Sequence, residues 1–374
     1  MSTETKVEEQ LAAGKLVRPF AHVHSAQTDS PPSYFSEIAR RLKTKPFIPH
    51  PSFVGGHAQT FAAYYWPRGF LKHAHRRDEP RIFEVGPDVR LLAHCRWQKD
   101  RLKHPTLILV HGLEGSTTSV YMLGTALKAF DAGFNVVRLN LRTCGKTEHL
   151  TPTLYHGGLT NDLLFVIREL VERDRLSQIF LTGFSLGGNM SIMLAGEDPD
   201  RVPHELKGIC AVSPTIDLGP CSDAIERREN WHYKWSFMRS MRNRVRRKRK
   251  FFPELYDTRD LRRIRTLRDF DARYVVADGG YKDVDDYYER ASSLRILSHI
   301  HTPTLIIQAQ DDPLVPFDPF RDPSIQENPY IILLATERGG HVGFVSANTL
   351  GEDRFWVENR AVEFCKLLHE HSMP

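Results

Sequence analysis

The sequence predicts a parallel α/β sheet flanked by helices, and three observations carry that prediction. Runs such as Thr106-Leu107-Ile108-Leu109-Val110 and Thr304-Leu305-Ile306-Ile307 are continuously apolar, the pattern of strands buried on both faces. They alternate with segments of helical spacing, as at Leu163, Val166, Ile167, Leu170 and Val171. Between one such run, Ile179-Phe180-Leu181, and a helical segment lies Gly183-Phe184-Ser185-Leu186-Gly187. Strand, sharp turn, helix is the setting in which G-x-S-x-G exposes a serine hydroxyl at the end of a sheet.

The elements follow in order. Residues 1–48 read as a polar N-terminal arm, with short helices near Val7–Val17 and Tyr34–Leu42 separated by Asp29-Ser30-Pro31-Pro32. Residues 49–213 form the first part of the core. Its strands are expected at Ile82–Val85, Val89–Ala93, Thr106–Val110, Val136–Leu139, Ile179–Leu181 and Ile209–Val212, with a helix over Val120–Asp131 closed by Gly133. Residues 214–301 break the alternation: no buried-type run occurs, and stretches such as Trp231-His232-Tyr233-Lys234-Trp235 are aromatic and basic. The segment is too long for a connecting loop and reads as an inserted helical cap. Residues 302–374 complete the core with strands at Thr304–Ile307 and Tyr330–Leu334 and a closing helix over Trp356–Leu368.

The 374 residues, 41% hydrophobic and 26% charged with a formal net charge of +5, suit a globular protein with a sizeable core. The balance is only mildly basic and does not imply nucleic acid. No apolar run approaches the roughly 18–20 residues that span a bilayer, and the N-terminus lacks a secretory pattern. Five scattered cysteines without paired spacing fit free thiols and a cytoplasmic setting. There is no C-x-x-C, no H-E-x-x-H and no internal repeat, so no metal and no cofactor is expected.

A serine hydroxyl is a weak nucleophile at neutral pH. It needs a base to take its proton, and the base needs a carboxylate to fix its tautomer. Asp312 follows the Thr304–Ile307 strand in Asp311-Asp312-Pro313-Leu314-Val315-Pro316, and His341 follows the next strand in Gly339-Gly340-His341-Val342-Gly343-Phe344. The order serine, acid, histidine, each after a strand, makes Ser185, Asp312 and His341 the expected triad. Asp311 is the neighbouring acid, and Asp217, after the Ala211-Val212 strand, is the alternative. The oxyanion formed on attack needs two backbone N–H groups. Leu186, just after the nucleophile, should supply one. Leu113, in His111-Gly112-Leu113-Glu114-Gly115-Ser116, should supply the other, with His111 bracing that loop.

These motifs, with Asn140-Leu141-Arg142-Thr143-Cys144-Gly145, Tyr155-His156-Gly157-Gly158, Asp286-Tyr287-Tyr288 and Ser292-Ser293, resemble the YheT/ABHD1–3-like (AB hydrolase 4) group of α/β-hydrolases from about Pro49 onward. That group includes yeast medium-chain ester synthases and hydrolases. The resemblance implies an α/β-hydrolase fold and a serine hydrolase acting on carboxylic esters through Ser185, Asp312 and His341. Two segments depart from the pattern: Thr143 stands where the group has glycine, and Ala272-Arg273-Tyr274-Val275-Val276-Ala277 is atypical before the Asp-Tyr-Tyr helix.

The expected activity is hydrolysis of short- to medium-chain acyl or lipid esters through an acyl-enzyme. The alternatives are transfer of the acyl group to an alcohol, or a non-catalytic basic protein at membranes. Arg239–Lys250 is the densest charge cluster. It reads first as a solvated cap helix and second as a contact for an anionic membrane surface, with nucleic acid not expected.

Overall fold

The computed structural model describes residues 33–69, 71, 78–347 and 351–372. The candidate helix at Val7–Val17 and most of the expected N-terminal arm lie outside them. Eight strands form one sheet in the order β1-β2-β4-β3-β5-β6-β7-β8. They are β1 (Glu79–Gly86), β2 (Val89–Arg96), β3 (Thr106–Val110), β4 (Asn135–Leu139), β5 (Ile179–Phe184), β6 (Leu206–Val212), β7 (Thr304–Ala309) and β8 (Ile331–Thr336). β2 pairs antiparallel with β1 and β4, and every other pairing is parallel.

Alternation along the central strands divides the interior into two cores. In β3, Leu107 and Leu109 face one side of the sheet while Ile108 and Val110 face the other; in β5, Phe180 and Phe184 oppose Ile179 and Leu181. Helices cover both faces, which is why these runs are apolar throughout. One face packs α1 (Phe35–Lys43), α3 (Val120–Asp131) and α9 (Trp356–Ser372). The other packs α4 (Thr160–Glu172) and α5 (Leu186–Glu197). α2 (Gly56–Tyr65) lies beside the loop after β8, where the Thr60 hydroxyl accepts the His341 amide at 2.8 Å.

Between β6 and β7 the chain is helical, with α6 (Leu218–Glu226), α7 (Trp231–Arg249) and α8 (Val284–Arg290), and none of these described residues forms a strand. A short helical segment precedes α8 and contains a π turn at Asp271–Val275. Of the sequence that departs from the group's pattern, Ala272–Ala277, the first four residues lie on this turn and the last two in the helical piece after it. Met238, Met241, Val245 and Lys248 recur at helical spacing on the buried face of α7.

All five cysteines are free and buried. Burial pushes the Cys95 and Cys365 thiols up to about 12. Among the described residues, no helix is long and apolar enough to cross a membrane.

Candidate active site

Ser185 stands between β5 and α5 with φ 53 and ψ −120, a left-handed conformation that a non-glycine residue adopts only under constraint. The constraint comes from crowding. A Cβ on Gly187 would lie 2.6 Å from the carbonyl oxygens of both Val110 and His111, so only glycine lets α5 begin this close to the end of β3. Val110 and Gly183 are paired across β3 and β5, so the loop after β3 emerges beside the elbow. β4 and β5 flank β3 on opposite sides, placing both loops where the winding of the sheet reverses.

The structure brings the expected acid, base and nucleophile together. His341 Nε2 lies 2.9 Å from Ser185 Oγ, and His341 Nδ1 lies 2.9 Å from Asp312 Oδ2. This is the pattern of an imidazole that donates through Nδ1 and accepts the serine proton at Nε2. The other Asp312 oxygen accepts the amides of Leu314 and Val315 at 2.8 and 3.0 Å, which fixes the carboxylate. Asp311 serves the same loop differently: its Oδ1 accepts the Gly340 amide at 2.9 Å. Asp217 stands at the N-cap position of α6 without a side-chain capping hydrogen bond, away from His341, and burial raises its carboxyl above the ordinary range.

The two expected oxyanion donors border the same space. Leu113 and Leu186 line a cavity together with Ser185 and His341. Among the described residues, neither amide N–H has an acceptor. A Cβ on Gly112 would fall 2.8 Å from the Ser185 Cβ, so the Leu113 turn abuts Ser185. His111 braces the turn as expected. Its Nδ1 donates to the Gly112 carbonyl at 2.8 Å, and its Nε2 accepts the Leu141 amide at 3.1 Å. Burial lowers the His111 pKa to about 4, which keeps the ring neutral.

A family description of the alpha/beta hydrolase fold matches residues 105–318. The chain belongs to the α/β-hydrolase fold family. This hydrolase is 32% identical over 276 residues to a monoacylglycerol lipase of Saccharomyces cerevisiae, an alignment covering 71% of the chain and 60% of the lipase. It is 31% identical over 319 residues to the YheT esterase of Escherichia coli, covering 84% of the chain and 91% of the esterase. The chain thus spans less than two thirds of the yeast relative and most of the bacterial one. It belongs to the YheT/ABHD3-like branch that its motifs resemble. Among solved structures, a 2,6-dihydroxy-pseudo-oxynicotine hydrolase shares the fold, with a TM-score of 0.51 at 15% identity over 98% of this chain and 84% of that one.

In this hydrolase, the remaining motif segments tie the helices of residues 214–301 to the elbow. Asn189 Nδ2 donates to the Ala291 carbonyl at 2.7 Å, and Asn189 Oδ1 accepts the Ser293 amide at 2.9 Å. The Tyr287 hydroxyl accepts the Gly157 amide, and the Ser292 hydroxyl accepts the Leu218 amide. Thr143 has a φ of 65 and is buried, with no partner for its hydroxyl among the described residues.

Three groups were given no role of their own by the sequence reading. Thr60 buttresses the His341 backbone from a helix of no special pattern. On the cavity wall, the Tyr288 hydroxyl lies 2.8 Å from Asp271 Oδ2 and 3.0 Å from Ser222 Oγ. Burial raises the Asp271 carboxyl to about 7. Glu114, inside the recognised loop, carries side-chain contacts that only the folded chain reveals.

The basic run also differs from a fully solvated face. Arg244 is buried against Glu114 at 2.8 Å, Arg247 pairs with Glu148 at 2.5 Å, and the buried Lys248 donates to the carbonyls of Glu148 and Thr151. Arg239, Arg246, Arg249 and Lys250 remain exposed on the outer side of α7, without a carboxylate partner among the described residues.

Proposed function

We propose that this α/β-hydrolase cleaves carboxylic esters, with Ser185 as nucleophile, His341 as base and acid, and Asp312 as the group that orients the imidazole. The hydrogen-bonded line Ser185 Oγ, His341 Nε2 and Nδ1, Asp312 Oδ2, with 2.9 Å at each contact, carries this reading. Ser185 Oγ adds to the ester carbonyl while its proton passes to His341 Nε2. The Leu113 and Leu186 amides receive the oxyanion. Collapse expels the alcohol, which takes the proton from His341. Water then attacks the acyl-enzyme with His341 again as base, releasing the carboxylic acid and free Ser185. An alcohol in place of that water would give a new ester by the same route.

The cavity wall supports an acyl substituent. Leu186, Leu218, Ile225, Phe237 and Met241 offer apolar surface next to Ser185. The yeast relative is named for acting on monoacylglycerol, and short- to medium-chain acyl or lipid esters are the class we propose here. Residues 214–301 serve as the cap, because α6 and α7 supply much of that wall.

A fluorophosphonate probe tests the reading. Wild-type protein should be labelled, and Ser185→Ala should not. A well-folded wild type that stays unlabelled and cleaves no p-nitrophenyl ester would refute it.

The outer side of α7 supports contact with an anionic lipid surface as the partner. Trp231 and Trp235 are 66% and 58% exposed at one end, Tyr64 and Tyr65 of α2 are exposed, and the four cations without a carboxylate partner among the described residues follow toward the other end. Aromatic rings at head-group depth and cations on acidic lipids act together in such contacts. The free thiols fit a cytoplasmic leaflet.

A further inference from the structure

The turn that presents the Leu113 amide is held from two sides. On the core side, the Gly112 carbonyl accepts His111 Nδ1–H at 2.8 Å and the Gly115 amide at 3.0 Å. A planar trans peptide points its N–H opposite its carbonyl, so these bonds turn the Leu113 N–H away from His111. On the other side lies Glu114, with a φ of 56 in the left-handed region. Its N–H donates to the Tyr155 hydroxyl at 2.7 Å. Its carboxylate accepts Arg244 Nη2 at 2.8 Å, Ser240 Oγ at 2.5 Å and the Tyr155 hydroxyl at 3.2 Å. The side chains of Glu114 and Arg244 are 8% and 3% exposed, so the pair works outside bulk solvent. Arg244 also packs over the rings of Tyr155 and Phe270.

Ser240 and Arg244 belong to α7, and one turn away Phe237 and Met241 line the cavity. The same helix therefore shapes the space for substrate and grips the residue next to Leu113. We propose that Glu114 is a positioning residue through which α7 sets the oxyanion hole: Arg244 and Ser240 hold its carboxylate, the carboxylate holds the turn, and the turn aims the Leu113 N–H at the reacting oxygen. This rests on the ester-hydrolase reading above and adds to it that the cap contributes to stabilisation of the transition state as well as to substrate choice.

Glu114→Gly separates the clamp from the turn. Glycine adopts a positive φ without strain, so the turn remains accessible while the carboxylate is lost. Full loss of one oxyanion donor costs about 10²–10³ in kcat, and a misaimed donor should cost about 10–100-fold. The expected result on a soluble p-nitrophenyl ester is that loss in kcat with KM nearly unchanged, because the ground-state carbonyl depends little on the hole. Affinity for a trifluoromethyl ketone, whose adduct carries the oxyanion, should fall in parallel with kcat. Arg244→Met should reproduce the effect, Glu114→Gly/Arg244→Met should be no worse than Glu114→Gly alone, and Arg244→Lys should recover part of it. If Arg244→Met does not fold, Ser240→Ala, which removes a single hydrogen bond, should still lower kcat with KM nearly unchanged. The proposal is overturned if folded Glu114→Gly keeps wild-type kcat and ketone affinity while Ser185→Ala is inactive in the same assay. An inactive wild type would instead overturn the reading beneath it.

Discussion

Asp311 and Asp312 both hold the His341 loop, through different atoms. Asp312 Oδ2 faces the imidazole Nδ1 at 2.9 Å, whereas Asp311 Oδ1 accepts the Gly340 amide at 2.9 Å. Neighbouring carboxylates on one turn thus divide the work, one orienting the ring and the other its backbone. Replacing the first should disturb the tautomer. Asp312→Asn is expected to lower kcat by about 10⁴-fold with KM little changed, by analogy with the serine-protease triad. Asp311→Asn keeps an oxygen for the Gly340 amide and should stay within about ten-fold of wild type. Steady-state kinetics on both variants decides the matter; equal losses would remove the distinction.

The pH dependence of stability follows from His111. Its pKa is about 4 in the fold against 6.5 unperturbed, with burial the main cause. A depressed histidine gives stability that is present in full above the unfolded value. That stability is lost progressively as the pH falls from about 6.5 toward 4, because the unfolded chain takes the proton first. The span corresponds to about 3 kcal/mol. His156, lowered to about 3 by burial, acts in the same direction. Asp271, raised to about 7 by burial, opposes the two histidines over the same window but is outweighed by their sum, so Tm should still fall between pH 6.5 and 4, and His111→Gln should flatten that slope.

Thr143 offers a stabilising substitution. A β-branched residue with a φ of 65 and a buried hydroxyl that finds no partner among the described residues carries both backbone strain and an unmet hydrogen bond. Thr143→Gly relieves both. After allowance for glycine's greater freedom in the unfolded chain, a gain of about 1 kcal/mol is expected. Thr143→Ala keeps the positive φ and should give less. Urea denaturation of the three proteins measures the order.

Vesicle sedimentation tests the lipid contact. Wild-type protein should bind phosphatidylcholine vesicles containing phosphatidylserine, and binding should weaken with salt. Arg239→Glu/Arg246→Glu/Arg249→Glu should abolish that binding while leaving turnover of a soluble ester unchanged. Trp231→Ala/Trp235→Ala should weaken it at all salt concentrations. Equal binding by wild type and charge variant would refute the contact, and preferential retention on RNA would point to a different partner.

Much of this was legible because it is local. Continuous apolar runs identify strands buried on both faces, and β3, β5 and β7 lie where such runs occur. The elbow, the acid and the histidine were legible because each chemistry-bearing residue follows a strand, and a parallel sheet gathers those ends. What escaped depends on contacts distant in sequence. Glu114 meets Ser240 and Arg244 from across the fold, and no spacing rule pairs them. The basic run looked uniform because α7 displays its charges at every angle. Packing then divides it, burying Arg244 and Lys248 and leaving Arg239 and Arg246 outside. Thr143 was visible as a departure, but its meaning needed a backbone angle.

The buried cysteines give the molecule a built-in chemical clock. With every thiol shielded and its ionisation suppressed, iodoacetamide finds no ready thiolate on the native surface. Cys221 borders the cavity and is the one that a small reagent could approach from within. Alkylation of the other four therefore counts opening events, and its rate under native conditions reads how often the core is breached. A cysteine installed at an exposed position such as Ser236 would become the single fast-reacting site. A fluorophore could be fixed to the outer face of α7 there without removing any native thiol.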